Sequence, residues 1–219
     1  MNRLALFDCD GTLVDSQHVI CDAMEEAFDQ HQLVPPSRAE TRRVVGLSLI
    51  EAMQALLPEA DLSLHARLAE DYKRAFQGMR RRGAVNEPLF EGIVALLDQL
   101  EGKGWLLGVA TGKSDKGLAH CLENHGLGGR FITLQTADRH PSKPHPSMVM
   151  QAMADAGAGP ATTVMIGDTS YDMMMGRAAG TYCLGVDWGY HHPDELRIAG
   201  AHGVAEHPDA LVDMMEKWS

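Results

Sequence analysis

Short, uninterrupted apolar runs alternate along the chain with segments whose apolar residues recur at three-and-four spacing. Arg3 to Phe7, Leu106 to Ala110, Phe131 to Leu134, Thr163 to Ile166 and Thr181 to Gly185 are predicted strands. Most lack the alternation of a half-solvated strand, as expected of a parallel sheet covered on both faces. Gly92 to Leu100, Lys116 to Asn124, Pro146 to Asp155 and Tyr171 to Ala179 are predicted helices, with Gly126, Gly157 and Gly180 where helix ends are expected. This alternation predicts an α/β fold. The rhythm breaks between Ser16 and Arg82, where helical patterns over Ala39 to Leu57 and Leu62 to Met79 are punctuated by Pro35-Pro36 and Pro58. An all-helical insertion, residues 16–83, is therefore expected within a core formed by residues 1–15 and 84–219. Its hinges fall after Asp15 and within Gly83 to Pro88.

Three apolar runs end in polar, oxygen-bearing residues: Asp8-Cys9-Asp10-Gly11-Thr12, Thr111-Gly112-Lys113 and Gly167-Asp168-Thr169-Ser170-Tyr171-Asp172. Ligands of open parallel sheets bind beyond the carboxyl ends of the strands, so these ends should converge. Residues i and i+2 of extended chain share a face, which sets Asp8 beside Asp10, while Gly11 permits a tight turn. Clustered carboxylates raise one another's pKa unless a cation neutralises them. Oxygen-only donors point to a hard divalent ion, Mg²⁺ before Ca²⁺. Lys143, in the proline-restricted segment Pro141-Ser142-Lys143-Pro144-His145-Pro146, supplies a further positive charge next to a predicted helix start.

Composition narrows the classes of function. The 219 residues carry 45% hydrophobic side chains and a formal charge of −11, which disfavours a nucleic-acid binder. No apolar stretch is long enough for a membrane span or a signal-peptide core. The four dispersed cysteines, Cys9, Cys21, Cys121 and Cys183, fit no zinc or disulfide framework and suit a reducing, cytoplasmic location. The thirteen methionines are expected as flexible core filler. A monomer or a homodimer is expected.

These motifs, in their order and spacing, resemble those of the haloacid-dehalogenase-like hydrolase superfamily, in the branch similar to phosphoglycolate phosphatases. Asp8-Cys9-Asp10-Gly11-Thr12-Leu13-Val14-Asp15-Ser16 is the specific first motif. Thr111-Gly112-Lys113, Lys143-Pro144 and Gly167 to Asp172 stand as the second, third and fourth. The resemblance implies a Rossmann-like parallel sheet core with helices on both faces, a mobile all-helical cap at the insertion, and Mg²⁺-dependent hydrolysis of a small phosphorylated metabolite. It implies Asp8 as nucleophile, Asp10 as acid and then base, and Thr111, Gly112 and Lys143 as holders of phosphoryl oxygens. Asp8, the carbonyl of Asp10, Asp168 and Asp172 would surround the metal.

Departures within the motifs sort the relatives. Asp10 argues for phosphate chemistry, because dehalogenases lack this second aspartate. Gly167 stands where sugar-phosphate mutases carry Glu, so a phosphomutase of the β-phosphoglucomutase type ranks second and a non-catalytic phosphometabolite-binding protein third. Within the insertion, Arg42-Arg43-Val44-Val45-Gly46-Leu47-Ser48 resembles the cap segment of the phosphoglycolate-phosphatase-like branch, with Arg43 a candidate for a substrate carboxylate. The basic residues from Lys73 to Arg82 are expected on an exposed helix face. His191-His192 are expected at the surface, and Cys9 is expected to pack away from the aspartates on either side of it.

Overall fold

The apolar runs become a single parallel sheet in the computed structural model, which describes residues 1–218. Its strands are β1 (Asn2–Phe7), β2 (Trp105–Thr111), β3 (Phe131–Thr136), β4 (Ala158–Gly167), β5 (Tyr182–Val186) and β6 (Gly203–Ala205), ordered β3-β2-β1-β4-β5-β6. The helices are α1 (Gln17–Gln30), α2 (Arg38–Val44), α3 (Leu49–Leu56), α4 (Leu62–Arg81), α5 (Ile93–Gly102), α6 (Asp115–Asn124), α7 (Ser147–Ala156), α8 (Ser170–Ala178), α9 (Pro193–Ile198) and α10 (Pro208–Trp218).

β1 is central and its pleat divides the core. Ala5 and Phe7 face an apolar layer with Leu96, Leu97 and Leu100 of α5 and Leu118 of α6. Leu4 and Leu6 face the opposite layer, with Met148 and Val149 of α7 and Met173 and Met175 of α8. This period of two continues past the strand end. Cys9 joins the Phe7 layer, its Sγ 3.9 Å from that of Cys121, so the packing role expected of it holds. Methionines do fill this core, although Met174, between two buried neighbours, is 38% exposed.

The helices of the insertion gather around apolar residues of their own, including Met24 and Phe28 of α1, Met53 of α3 and Leu68 of α4. The stretch Ala39 to Leu57, expected as one helical pattern, is two helices. Val45 and Ser48 are extended, and the chain between them turns over the sheet's carboxyl edge. The two chain crossings into the insertion lie side by side: the Asp15 amide donates to the Pro88 carbonyl (2.8 Å) and Val14 bridges Leu89 antiparallel. β6, α9 and α10 escaped the sequence pattern. β6 has only three residues, and α9 is a short surface turn of helix opened by Pro193. Gly126, Gly157 and Gly180 do follow the ends of α6, α7 and α8 with positive φ. Among the described residues no helix is long and apolar enough to cross a membrane.

Candidate active site

β1 pairs with both β2 and β4, with Phe7 opposite Val109 and Ile166. Within three residues of these positions the chain has left all three strands at the same edge, where the polar strand ends meet. Asp8, Asp168 and Asp172 are buried there and offer carboxylate oxygens within 4.8 Å of one another. Backbone approach makes this possible. A Cβ on Gly11, at φ +83°, would lie 2.2 Å from Asp168 Oδ2, and one on Gly167 would lie 2.4 Å from Asp172 Cγ. On the far side, a Cβ on Gly189 would meet Asp168 Cβ at 2.1 Å.

Each carboxylate is held differently. Asp8 Oδ1 accepts from the Cys9 amide (2.6 Å) and pairs with Lys143 Nζ (2.9 Å), whereas buried Asp8 Oδ2 has no hydrogen-bond partner. Asp168 accepts from the Thr12 hydroxyl (2.7 Å) and the Tyr190 amide (3.0 Å). Asp172 caps α8 through a reciprocal box with Thr169, and its other oxygen receives Lys143 Nζ at 2.6 Å. Lys143 is wholly buried between Asp8 and Asp172. Despite its own burial, these two anions raise its pKa, so it stays an ammonium. Burial, opposed by Lys143, pushes the Asp8 carboxyl from 3.8 up to about 7, and burial followed by the Asp8 charge drives Asp168 well above the usual carboxylate range.

Of the three buried acids only Asp8 and Asp172 meet a lysine, and one acid oxygen is orphaned. Such a set is stable as anions only if another cation enters. The donors are all oxygen, at the spacing a small hard ion spans, so the residues fit a divalent cation of the magnesium or calcium kind. The side chain of Asp10 stands outside this trio. Its Oδ1 accepts from the Ser16 hydroxyl and pairs with Lys113 Nζ at 2.8 Å.

Thr111 is fully buried at the end of β2, its hydroxyl accepting from the Lys113 amide (3.2 Å). Gly112 lies under the loop between α2 and α3, and a Cβ there would come 2.8 Å from the carbonyls of Gly46 and Leu47. The same loop is tied down by the Ser48 amide, which donates to Ser142 Oγ at 2.8 Å. The guanidinium of Arg43 pairs with Glu195 of α9 through bonds of 2.7 and 3.2 Å, its side chain 61% exposed. One expectation changes. His191 is buried, not superficial: its Nε2–H donates to the Arg43 carbonyl (3.2 Å) and its Nδ1 accepts from the Ser170 amide (3.2 Å). His192 is exposed, as expected. Lys73, Arg74, Arg81 and Arg82 are exposed on and beyond α4, while Arg80 is half-buried against the ring of Phe76.

Sequence reasoning missed Lys113, Glu87, Tyr190 and the hydroxyls of Thr12, Thr169 and Ser16 as parts of the site. Thr12, Ser16, Lys113 and Thr169 stand inside motifs already singled out. Glu87 and Tyr190 come from connecting segments with no local signal.

Comparison with known proteins places the chain in a family. The family described as haloacid dehalogenase-like hydrolase matches residues 5–186. The chain is 36% identical over 220 residues to "Probable phosphatase IndB" of Dickeya dadantii, covering 97% of this chain and 90% of that one. It is 33% identical over 218 residues to the N-acetylmuramic acid 6-phosphate phosphatase of Pseudomonas putida, covering 94% and 92%. The crystal structure of a hydrolase from Pseudomonas syringae superposes with a TM-score of 0.86 at 26% identity over 99% of each chain. With its motifs gathered at one sheet edge and its length spanned by these relatives, the chain belongs to the haloacid dehalogenase-like hydrolase family.

Proposed function

We propose that this protein is a Mg²⁺-dependent phosphatase that hydrolyses monoesters of small phosphorylated metabolites through an aspartyl-phosphate on Asp8. The observation that carries this is the orphaned Asp8 Oδ2, buried in an acidic trio beside a buried lysine. That is an oxygen left for an incoming cation or phosphoryl group to satisfy. The phosphatases named among the relatives support the same chemistry.

Asp8, Asp168, Asp172 and the carbonyl of Asp10 would hold Mg²⁺, which when bound supplies positive charge to the carboxylates and the phosphoryl oxygens. Asp8 attacks phosphorus and the ester P–O bond breaks. Asp10 gives its proton to the departing alkoxide, then takes one from the water that attacks the aspartyl-phosphate and frees inorganic phosphate. Lys143, Thr111 and the backbone at Gly112 hold the equatorial oxygens in line. Residues 16–83 act as the cap and residues 1–15 and 84–219 as the core, so the loop over Gly112 excludes water during transfer. The four cysteines are free and buried, which suits a reducing cytoplasm. A mutase reading gains no support here, since any side chain at position 167 would strike Asp172.

Purified protein should release phosphate from small phosphomonoesters with Mg²⁺ and lose that activity in excess chelator. Turnover persisting in chelator would refute the metal assignment. The raised carboxyls give a second expectation, in stability. A group whose folded pKa lies above its unfolded value stabilises the fold fully below the unfolded pKa and loses that contribution as pH rises through the folded one. For Asp8 the loss spans pH 3.8 to about 7. Lys143 stays charged throughout this window and adds no slope. Metal-free protein should therefore melt lower at pH 8 than at pH 5.5, and the rise in Tm on adding Mg²⁺ should be larger at pH 8. A Mg²⁺ shift that is equal at both pH values would contradict this.

A further inference from the structure

Two buried charged groups beside the metal cluster, Lys113 and Glu87, have no part in the chemistry described so far. Lys113 Nζ lies 2.8 Å from Asp10 Oδ1 and 2.7 Å from Glu87 Oε1. The side chains of Lys113, Asp10 and Glu87 are each no more than about a tenth exposed. Lys113 also faces the ring of Phe76 on α4, 5.9 Å from its centroid. Glu87 belongs to the second chain crossing into the helical insertion, and its carbonyl accepts from His125 Nε2 at 2.7 Å. At the first crossing, the Ser16 hydroxyl donates to the same Asp10 Oδ1 and contacts the Tyr190 hydroxyl at 3.2 Å.

All of this restraint falls on one oxygen. Asp10 Oδ1 takes both the lysine and the serine, and among the described residues Oδ2 receives no protein hydrogen bond. A carboxyl fixed by one oxygen and open at the other presents that second oxygen in a single direction. Removing Lys113 would free the carboxyl to rotate about its own bond, and proton transfer falls steeply when the donor is misaligned.

We propose that Lys113, anchored by Glu87, is a positioning residue that pins Asp10 so that its free oxygen meets the leaving-group oxygen. The proposal rests on Asp10 acting as the acid. Because the anchors lie at both chain crossings, the acid is aligned by the same segments that carry the helical layer.

The test uses two monoesters of similar bulk with no second charge. Benzyl phosphate expels a poor alkoxide that needs a proton, whereas para-nitrophenyl phosphate expels a stable phenolate that does not. The value of kcat/KM reports steps up to departure of the leaving group, so it isolates the acid role from the later attack of water. Lys113→Met should lower kcat/KM for benzyl phosphate at least about tenfold more than for para-nitrophenyl phosphate. Lys113→Arg should recover part of the difference. Glu87→Gln, which keeps shape and leaves the lysine in place, should show the same selectivity more weakly and covers the case in which the methionine variant fails to fold. Equal losses on both esters, or no loss on either, in the folded variants would overturn the proposal. Asp10→Asn run alongside separates the two failures. If it too lacks leaving-group selectivity, the acid role of Asp10 falls; if it alone is selective, only the role of Lys113 falls.

Discussion

Asp8→Asn is expected to leave a folded protein that turns over no phosphomonoester. The amide nitrogen is a poor nucleophile and cannot carry the charge that attacks phosphorus, so kcat should fall on the order of 10⁴-fold or more, as when other covalent nucleophiles are removed. Stability should move the other way. Asp8 is buried, is pushed up to about 7, and leaves Oδ2 without a partner. Replacing it with a neutral isostere removes a charge that the folded state tolerates poorly, so in chelator at pH 8 the variant should melt above the wild type. Paired activity and melting measurements check both halves. Turnover close to wild type would sink the covalent route, and a lower Tm in chelator would show that the carboxylate is a net stabiliser.

Lys143→Met carries the opposite balance. Lys143 is the single side-chain cation touching Asp8 and Asp172 among the described residues, and all three groups are buried. Breaking a buried pair from one side costs roughly 3–5 kcal/mol, because the remaining charges have no compensation. For a chain of this length that is a fall in Tm on the order of 10 °C. Mg²⁺ should recover part of this loss, since it brings positive charge to the same carboxylates, yet activity should stay low because no ammonium holds the phosphoryl oxygens. Lower pH should also recover stability, as the stranded Asp8 takes up a proton. A metal-free Tm within about 2 °C of the wild type would mean that Asp8 and Asp172 do not depend on this lysine.

The strands and the acidic strand ends were readable because both follow from local rules. A buried parallel strand is apolar throughout, and a turn beside a ligand needs residues such as Gly11 and Asp10. The alternation of faces along β1 even separates Cys9 from its neighbours. The roles of Lys113 and Arg43 were not readable, because a lysine or arginine in a sequence does not reveal which anion will meet it. Lys113 stands beside the threonine and glycine of its motif, but its partner Glu87 lies 26 residues away in the chain. Arg43 found Glu195, 152 residues on, through the contact between α2 and α9. His191 was misjudged for the same reason: its burial comes from the Arg43 carbonyl and the start of α8, not from its own segment. The break between α2 and α3 is a smaller case, since apolar spacing persists across a bend that Gly46 makes at positive φ over Gly112.

Gly11, Gly167 and Gly189 together form a bare backbone wall against Asp168 and Asp172. A single added methyl at any of them would press on an acidic side chain from within, and no surface change elsewhere could relieve it. As this chain is packed, the floor of the crevice is closed to a side chain at these three positions. On the proposed reading, what distinguishes one phosphorylated substrate from another lies overhead, in the loop of Gly46, Leu47 and Ser48 that covers Gly112.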